Sequence, residues 1–170
     1  MVKVKIVRIN FKKLTTNIRS GALLSGLLLS LMACDTSQLY DQSAGIDARG
    51  WHQDSVAVFK VDVIDTTLFY NFYINVRNND DYAYRNLYVF LTTRLPNNNR
   101  TRDTLELILA DKQGNWLGKG FGALHDNQIL VRRNLRFPLA GRYTFSLQQA
   151  MRQEILEGIT DAGIRIEQSH

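Results

Sequence analysis

The chain has one cysteine in 170 residues, so no disulfide can form within it and no Cys-x-x-Cys zinc pair exists. Its three histidines are His52, His125 and His170, and no two lie four residues apart. A zinc site would therefore need ligands from distant loops. No Gly-x-Ser-x-Gly elbow presents a serine nucleophile, and Ser146 reads as an outward residue of a strand. Neither the Walker pattern nor Gly-x-Gly-x-x-Gly occurs, although Gly118, Gly120 and Gly122 lie close together. That cluster reads as a bulge or a tight approach between strands, where glycine is needed. Residues 1–33 hold no acidic residue but six of the 21 Lys and Arg. Gly21 to Ala33 gives thirteen residues without a charge. A bilayer-spanning helix needs about 20.

What is present near the N-terminus explains these gaps. Lys3, Lys5, Arg8, Lys12, Lys13 and Arg19 precede the apolar run, and Leu31-Met32-Ala33-Cys34 ends it. A basic segment, a short apolar segment and a small residue at the cut describe a secretory signal. Leu at −3, Ala at −1 and Cys at +1 resemble the bacterial lipobox, in which the thiol takes a diacylglyceryl thioether and cleavage falls before the cysteine. Cys34 is thus the expected lipid-attachment residue. The bland alternative is a buried structural cysteine, an unusual feature in an exported protein. One myristoyl chain binds membranes only marginally, whereas the three chains of a fully acylated terminus anchor permanently. The expected organisation is a signal peptide at 1–33, a lipidated cysteine and flexible tether at 34–50, and a folded domain at 51–170. The expected location is the cell envelope, facing the periplasm, with inner and outer membrane both open.

Removing residues 1–33 leaves 15 basic against 16 acidic residues in 137, a charge of −1. The basicity of the whole chain belongs to the signal, which argues against nucleic acid as a partner. A length of 137 residues suits one domain with its own core. From Ser55 onward the period is two. Strands are expected over Val56 to Ile64, Leu68 to Arg77, Leu87 to Thr92 and Thr104 to Ala110. Gln128 to Phe137 reads as one or two strands broken near Asn134, followed by strands from Gly141 and over Gly163 to Glu167. Asn78 to Tyr82 and Pro96 to Asn99 carry turn chemistry. Met151 to Gly158 has helical propensity but is equally compatible with a strand and a loop. The predicted fold is all-β, an antiparallel two-sheet β-sandwich of Ig-like or jelly-roll type, preceded by a signal-peptide helix and the tether.

No residue stands out as catalytic, and no metal or cofactor is expected. Asp80-Asp81 reads as a solvated turn ahead of a weak calcium loop, because calcium wants six to eight oxygens from a shaped site. The candidates are contact residues. An outward Tyr73, Tyr88 and Phe90 would make an apolar patch on one sheet face, suited to a protein partner or, alternatively, to stacking on a sugar. Trp116, Lys119 and Phe121 mark a loop contact, and Gln148 and Arg152 a second.

Matching segments in order give the chain a resemblance that covers nearly all of the mature sequence. They include Cys34, Trp51, Asp65-Thr66-Thr67, Tyr73-Ile74-Asn75-Val76-Arg77-Asn78, Asp103-Thr104-Leu105-Glu106, Gly114-Asn115-Trp116-Leu117-Gly118-Lys119-Gly120, Gly141-Arg142-Tyr143-Thr144, Gln148-Gln149-Ala150-Met151-Arg152 and Gly158-Ile159-Thr160-Asp161-Ala162-Gly163. With these the chain resembles GldH, the gliding motility-associated lipoproteins of Bacteroidota. The resemblance implies a membrane-anchored, non-enzymatic component associated with gliding and, through that machinery, with secretion. It implies partners among other envelope or gliding-machinery proteins and supplies no catalytic residue.

Overall fold

The computed structural model describes residues 38–169, and these contain strands and turns but no helix. Cys34 and the signal peptide lie outside the described residues. Ten strands form: β1 (Gln38–Gly45), β2 (Trp51–His52), β3 (Val56–Val63), β4 (Tyr70–Asn79), β5 (Asn86–Arg94), β6 (Arg100–Ile108), β7 (Leu124–Leu135), β8 (Gly141–Gln149), β9 (Ile155–Leu156) and β10 (Ile159–Gln168). They build one sheet in the order β1-β10-β4-β7, a second in the order β3-β8-β5-β6, and a two-stranded ribbon of β2 and β9. Every pairing is antiparallel. The predicted β-sandwich is therefore the fold.

Alternation of side chains explains the two layers. In β3, Ala57, Phe59, Val61 and Val63 are buried while Val56, Val58, Lys60 and Asp62 are exposed, so a strand that looks apolar on both faces has only one in the core. Phe72, Ile74 and Val76 of β4 and Ile164 and Ile166 of β10 face Leu87, Val89 and Leu91 of β5 and Phe145 and Leu147 of β8 across the interior. The Phe72 and Phe145 rings meet at 5.1 Å between centroids, and Phe137 and Tyr143 at 4.9 Å. Contacts of this tilted kind add to simple area burial.

Three expectations about local structure change. Within the stretch read as a tether, Gln38 to Gly45 is strand, paired with β10 from Glu167 to Asp161, so these eight residues belong to the first sheet. It lacks the apolar alternation of a core strand because it is a sheet edge with five of its eight residues exposed. Beyond its ladder to β10 and the partial packing of Leu39, Tyr40 and Ala44 on the core, polar and close contacts hold it. Arg165 donates to Asp41 at 2.8 Å and to Gln38 at 3.1 Å, and Gly163 lies flush against Ser43. In Met151 to Gly158 the alternative of a strand with a loop prevails, as β9. The expected break near Asn134 is real as backbone geometry, since its φ is 53°, yet β7 continues through it to Leu135 with register shifts opposite Phe72.

Connections sort into two ends. Loops 64–69, 95–99 and 136–140 lie at the end where β1 begins, since Val63 pairs with Gly141, Arg94 with Arg100 and Gln38 with Glu167. The segments 46–55, 80–85, 109–123 and 150–158 lie at the opposite end. These are called the β1-entry end and the far end.

Candidate functional site

At the far end, residues 109–123 form two small turns in series. Asp111 organises the first: its Oδ1 accepts from the amides of Gln113 at 2.9 Å and Asn115 at 2.8 Å, and its Oδ2 from the Asn115 side chain at 2.9 Å. These hydrogen bonds to Asn115 hold the Asp111 carboxyl below the usual carboxylate range. The turn folds Trp116 back beside Ala110. In the second, Lys119 and Asp126 exchange backbone hydrogen bonds at 2.9 and 2.6 Å, leaving Phe121 at the apex with 97% of its surface exposed. Leu117 and Leu124 are exposed on either side of it.

The glycines explain how the loop lies down. A Cβ on Gly118 would stand 2.9 Å from Asn127 Oδ1, and one on Gly120 would stand 1.8 Å from the Leu124 carbonyl oxygen. Both are needed for close approach, while Gly122 alone of the three takes a positive φ, 65°. Under Gly118 sits a buried polar pair. Asn127 Nδ2 donates to Asn78 Oδ1 at 2.9 Å and to the carbonyls of Val76 and His125 at 3.2 Å. Asn127→Ala leaves buried acceptors unmatched, so we expect a stability loss of about 1–3 kcal/mol in denaturant titration. A change below about 0.5 kcal/mol would mean that the pair does not anchor the loop.

Above that anchor runs an aromatic cluster. The Trp116 and His125 rings stack at 5.3 Å and 28°, and Trp116 lies 6.3 Å from Tyr82, which meets Tyr84 edge to face at 5.8 Å. His125 Nε2 sits 2.8 Å from Asp80 Oδ1. The Tyr82 hydroxyl donates to the Asn86 carbonyl at 2.8 Å, and burial pushes its ionisation well above the ordinary phenol range. Gln153 donates to the Tyr84 hydroxyl, which ties loop 80–85 to loop 150–158. The buried Gln149 fixes the latter from below, accepting from Met151 N at 2.7 Å and donating to the Gln153 carbonyl at 2.8 Å. The far end is thus a set of braced loops carrying one exposed apolar apex.

The structure distributes the predicted contact residues over three surfaces. Trp116, Lys119 and Phe121 share the apex loop, with Trp116 half-buried as its base. Arg152 is exposed in the neighbouring loop 150–158 at the same end. Tyr88, Phe90 and Gln148 lie on the outer face of the second sheet, where Phe90 pairs with Gln148 across β5 and β8. Their surroundings are already filled: the Arg102 guanidinium covers the Phe90 ring at 4.0 Å, and Gln148 donates to the Gln53 carbonyl at 2.7 Å. A hydrogen bond to Glu106 raises the Tyr88 phenol above its ordinary value.

Tyr73 must be separated from this group. It lies on β4, in the other sheet, and its hydroxyl donates to Glu167 at 2.7 Å. The single patch expected of Tyr73, Tyr88 and Phe90 does not form, because β4 and β5 are consecutive in sequence but belong to different layers. The same separation removes a sugar-stacking platform built from Tyr73 and Tyr88 together.

Among the described residues the acid–histidine contacts of His52 and His125 share no residue. His52 Nε2 lies 3.4 Å from Glu154 and accepts from the Asp54 amide through Nδ1 at 3.1 Å, beside an open cleft of about 420 Å³. Asp81 sits in an Asx turn with Asn79, whose side chain accepts from the Asp81 amide at 3.1 Å. Among the described residues no cluster of three or more His, Cys, Asp or Glu is placed to hold a metal ion. Sequence reasoning missed Asn78, Asn127 and Gln149. Asn78 and Asn127 pair across 49 residues of chain, and Gln149, which bonds to nearby Met151 and Gln153, looks locally like a turn residue.

Residues 38–166 match the family profile described as GldH lipoprotein. A curated relative from Christiangramia forsetii, the gliding motility lipoprotein GldH homolog, is 39% identical over 84% of this chain and 91% of its own length. The gliding motility lipoprotein GldH of Flavobacterium johnsoniae is 35% identical over 88% of this chain and 96% of its own. Among solved structures, an infectious bursal disease virus VP2 subviral particle aligns at 14% identity over 77% of this chain and 30% of that one, at a TM-score of 0.32. That likeness is too slight to bear on fold or function. Nearly the whole sandwich and both its ends fall within the family match and the two curated relatives, and the chain belongs to the GldH lipoprotein family.

Proposed function

We propose that this protein is a lipid-anchored, non-catalytic scaffold of the gliding-motility and linked secretion machinery, holding another envelope protein through the apex loop at its far end. The observation that carries the reading is the exposed apolar tip of Leu117, Phe121 and Leu124, mounted on the braced Trp116–His125 base and flanked by Lys119. Loose apolar side chains are common on surfaces, but a fully exposed phenylalanine on a loop fixed by Asp111, Asn127 and Gly120 is pre-ordered for contact. Rigid presentation lowers the entropy lost on binding. The names of the two curated relatives support the association with gliding, and the family name supports the lipid anchor.

A photo-crosslinking residue placed at position 121 in whole cells should capture a specific envelope protein, whereas one at position 104 on the outer sheet face should not. Leu117→Asp with Leu124→Asp should abolish capture at 121, and Phe121→Asp alone should reduce colony spreading or secretion. If no envelope protein is captured and loss of the gene leaves motility and secretion unchanged, the scaffold reading fails.

A further inference from the structure

We infer that the β1-entry end of the sandwich rests on the bilayer as a headgroup-binding surface, an inference that rests on the reading of Cys34 as the lipid-attachment residue. Only Asp35, Thr36 and Ser37 separate Cys34 from Gln38. Four residue steps reach at most about 14 Å in any conformation. The sandwich strands have eight to twelve residues, and at about 3.3 Å per residue the far-end loops stand roughly 30 Å beyond the β1-entry end. The anchor therefore holds the β1-entry end against the lipid surface.

That end is chemically suited to lie there. Ile64 is 89% exposed and Phe69 49%, with Leu139 exposed beside them. The loops carrying them are joined: Arg136 donates to the Thr66 carbonyl at 2.9 Å, the Ser169 amide donates to the Phe69 carbonyl at 2.8 Å, and the Tyr143 hydroxyl donates to the Leu139 carbonyl at 3.0 Å. Around this apolar group stand Arg94, Arg100, Arg133, Arg136 and Arg142. Among the described residues three acids share the end, and each is engaged within the chain: Asp62 by Arg142 at 2.8 Å, Asp65 by the Thr67 amide at 2.7 Å, and Glu167 by Arg165 at 2.9 Å; Asp35, beside Cys34 in the sequence, is one more acid on this side. Counted alike, each loop with three strand residues on either side, the far end (43–58, 77–88, 106–126 and 147–161) carries ten acidic against six basic residues, and the β1-entry end (38–40, 61–72, 92–102, 133–143 and 166–169) three acidic against six basic. Apolar side chains enter the interface while arginines meet phosphates, the arrangement of a peripheral membrane-binding surface. The sign of the charge difference selects which end faces an anionic leaflet.

The test uses the full lipidated chain in vesicles of phosphatidylethanolamine with a minority of phosphatidylglycerol. Ile64→Cys, Phe121→Cys and Thr104→Cys variants each carry an environment-sensitive fluorophore at the new thiol, and doxyl lipids serve as quenchers. Quenching at position 64 should exceed that at 121 and 104 severalfold, and Arg94→Glu with Arg136→Glu should weaken it. Equal quenching at 64 and 121, or strongest quenching at 104, would overturn the inference. Mass spectrometry of the N-terminal peptide tests the anchor separately. If Cys34 carries no lipid, the same label in a Cys34→Ser chain added to these vesicles decides the docking surface: a blue shift at 64 that needs phosphatidylglycerol supports it, and no shift refutes it.

Discussion

Cys34→Ser should move the protein almost entirely from the membrane to the soluble fraction while leaving its unfolding midpoint within about 1 °C of the parent. Two independent facts give the two halves of that result. Each buried methylene of an acyl chain contributes about 0.8 kcal/mol, so losing the acyl chains removes a binding term that the protein surface cannot replace. Among the described residues the core runs from Leu39 onward, and Trp51, Phe72, Phe145 and Ile164 are buried in it among residues of the two sheets and the β2–β9 ribbon. Fractionation and thermal denaturation of the same preparation separate the two. Full membrane retention of the variant would refute the anchoring role, and a lowered midpoint would mean that the cysteine contributes to the fold.

Gly163→Val should strip β1 from the sandwich. A Cβ at 163 would lie 2.2 Å from Ser43 Oγ and 2.5 Å from the Gln42 carbonyl oxygen. The second contact is backbone, so no side-chain rotation relieves it. Overpacking of this kind costs about 1–3 kcal/mol where neighbours can shift, and here the neighbour is an edge strand free to leave. Its departure also breaks the Asp41–Arg165 pair, in which Arg165 retains Glu167 as a partner. Hydrogen exchange should then show residues 38–45 losing protection by orders of magnitude while β3, β5 and β8 stay protected. Unchanged protection in β1 would show that the sheet absorbs the methyl groups. Because the freed segment becomes leash, quenching at position 64 in vesicles should fall together with β1 protection.

These two variants mark where the sequence was legible and where it was not. The layer architecture follows from period-two alternation, and the strands expected over Leu68 to Arg77 and from Gly141 form as β4 and β8, offset at the ends of the former, because one face of each is packed. β1 was missed for the same physical reason in reverse. An edge strand held by Arg165, Asp41 and a flush glycine needs no apolar alternation, and Asp, Ser, Gln and Gly in that order look like a linker. The placement of the candidate residues was partly legible. Exposed aromatic and glycine-rich character identified the apex loop, but grouping Tyr73 with Tyr88 and Phe90 required knowing that the chain changes layer between β4 and β5. Pairing between layers is a long-range property, and a local pattern does not encode it.

The strand order sets the timing of folding. Of the pairings in the two main sheets, only β5 with β6 joins strands adjacent in sequence, while β10 must insert between β1 and β4. Folds dominated by such distant pairings close slowly, because loop entropy is lost before any contact compensates for it. The first sheet cannot be completed until the last strand has emerged. A chain exported through a membrane as an extended polymer gains from that delay: it stays threadable during transit and acquires its core only once β10 is available on the far side.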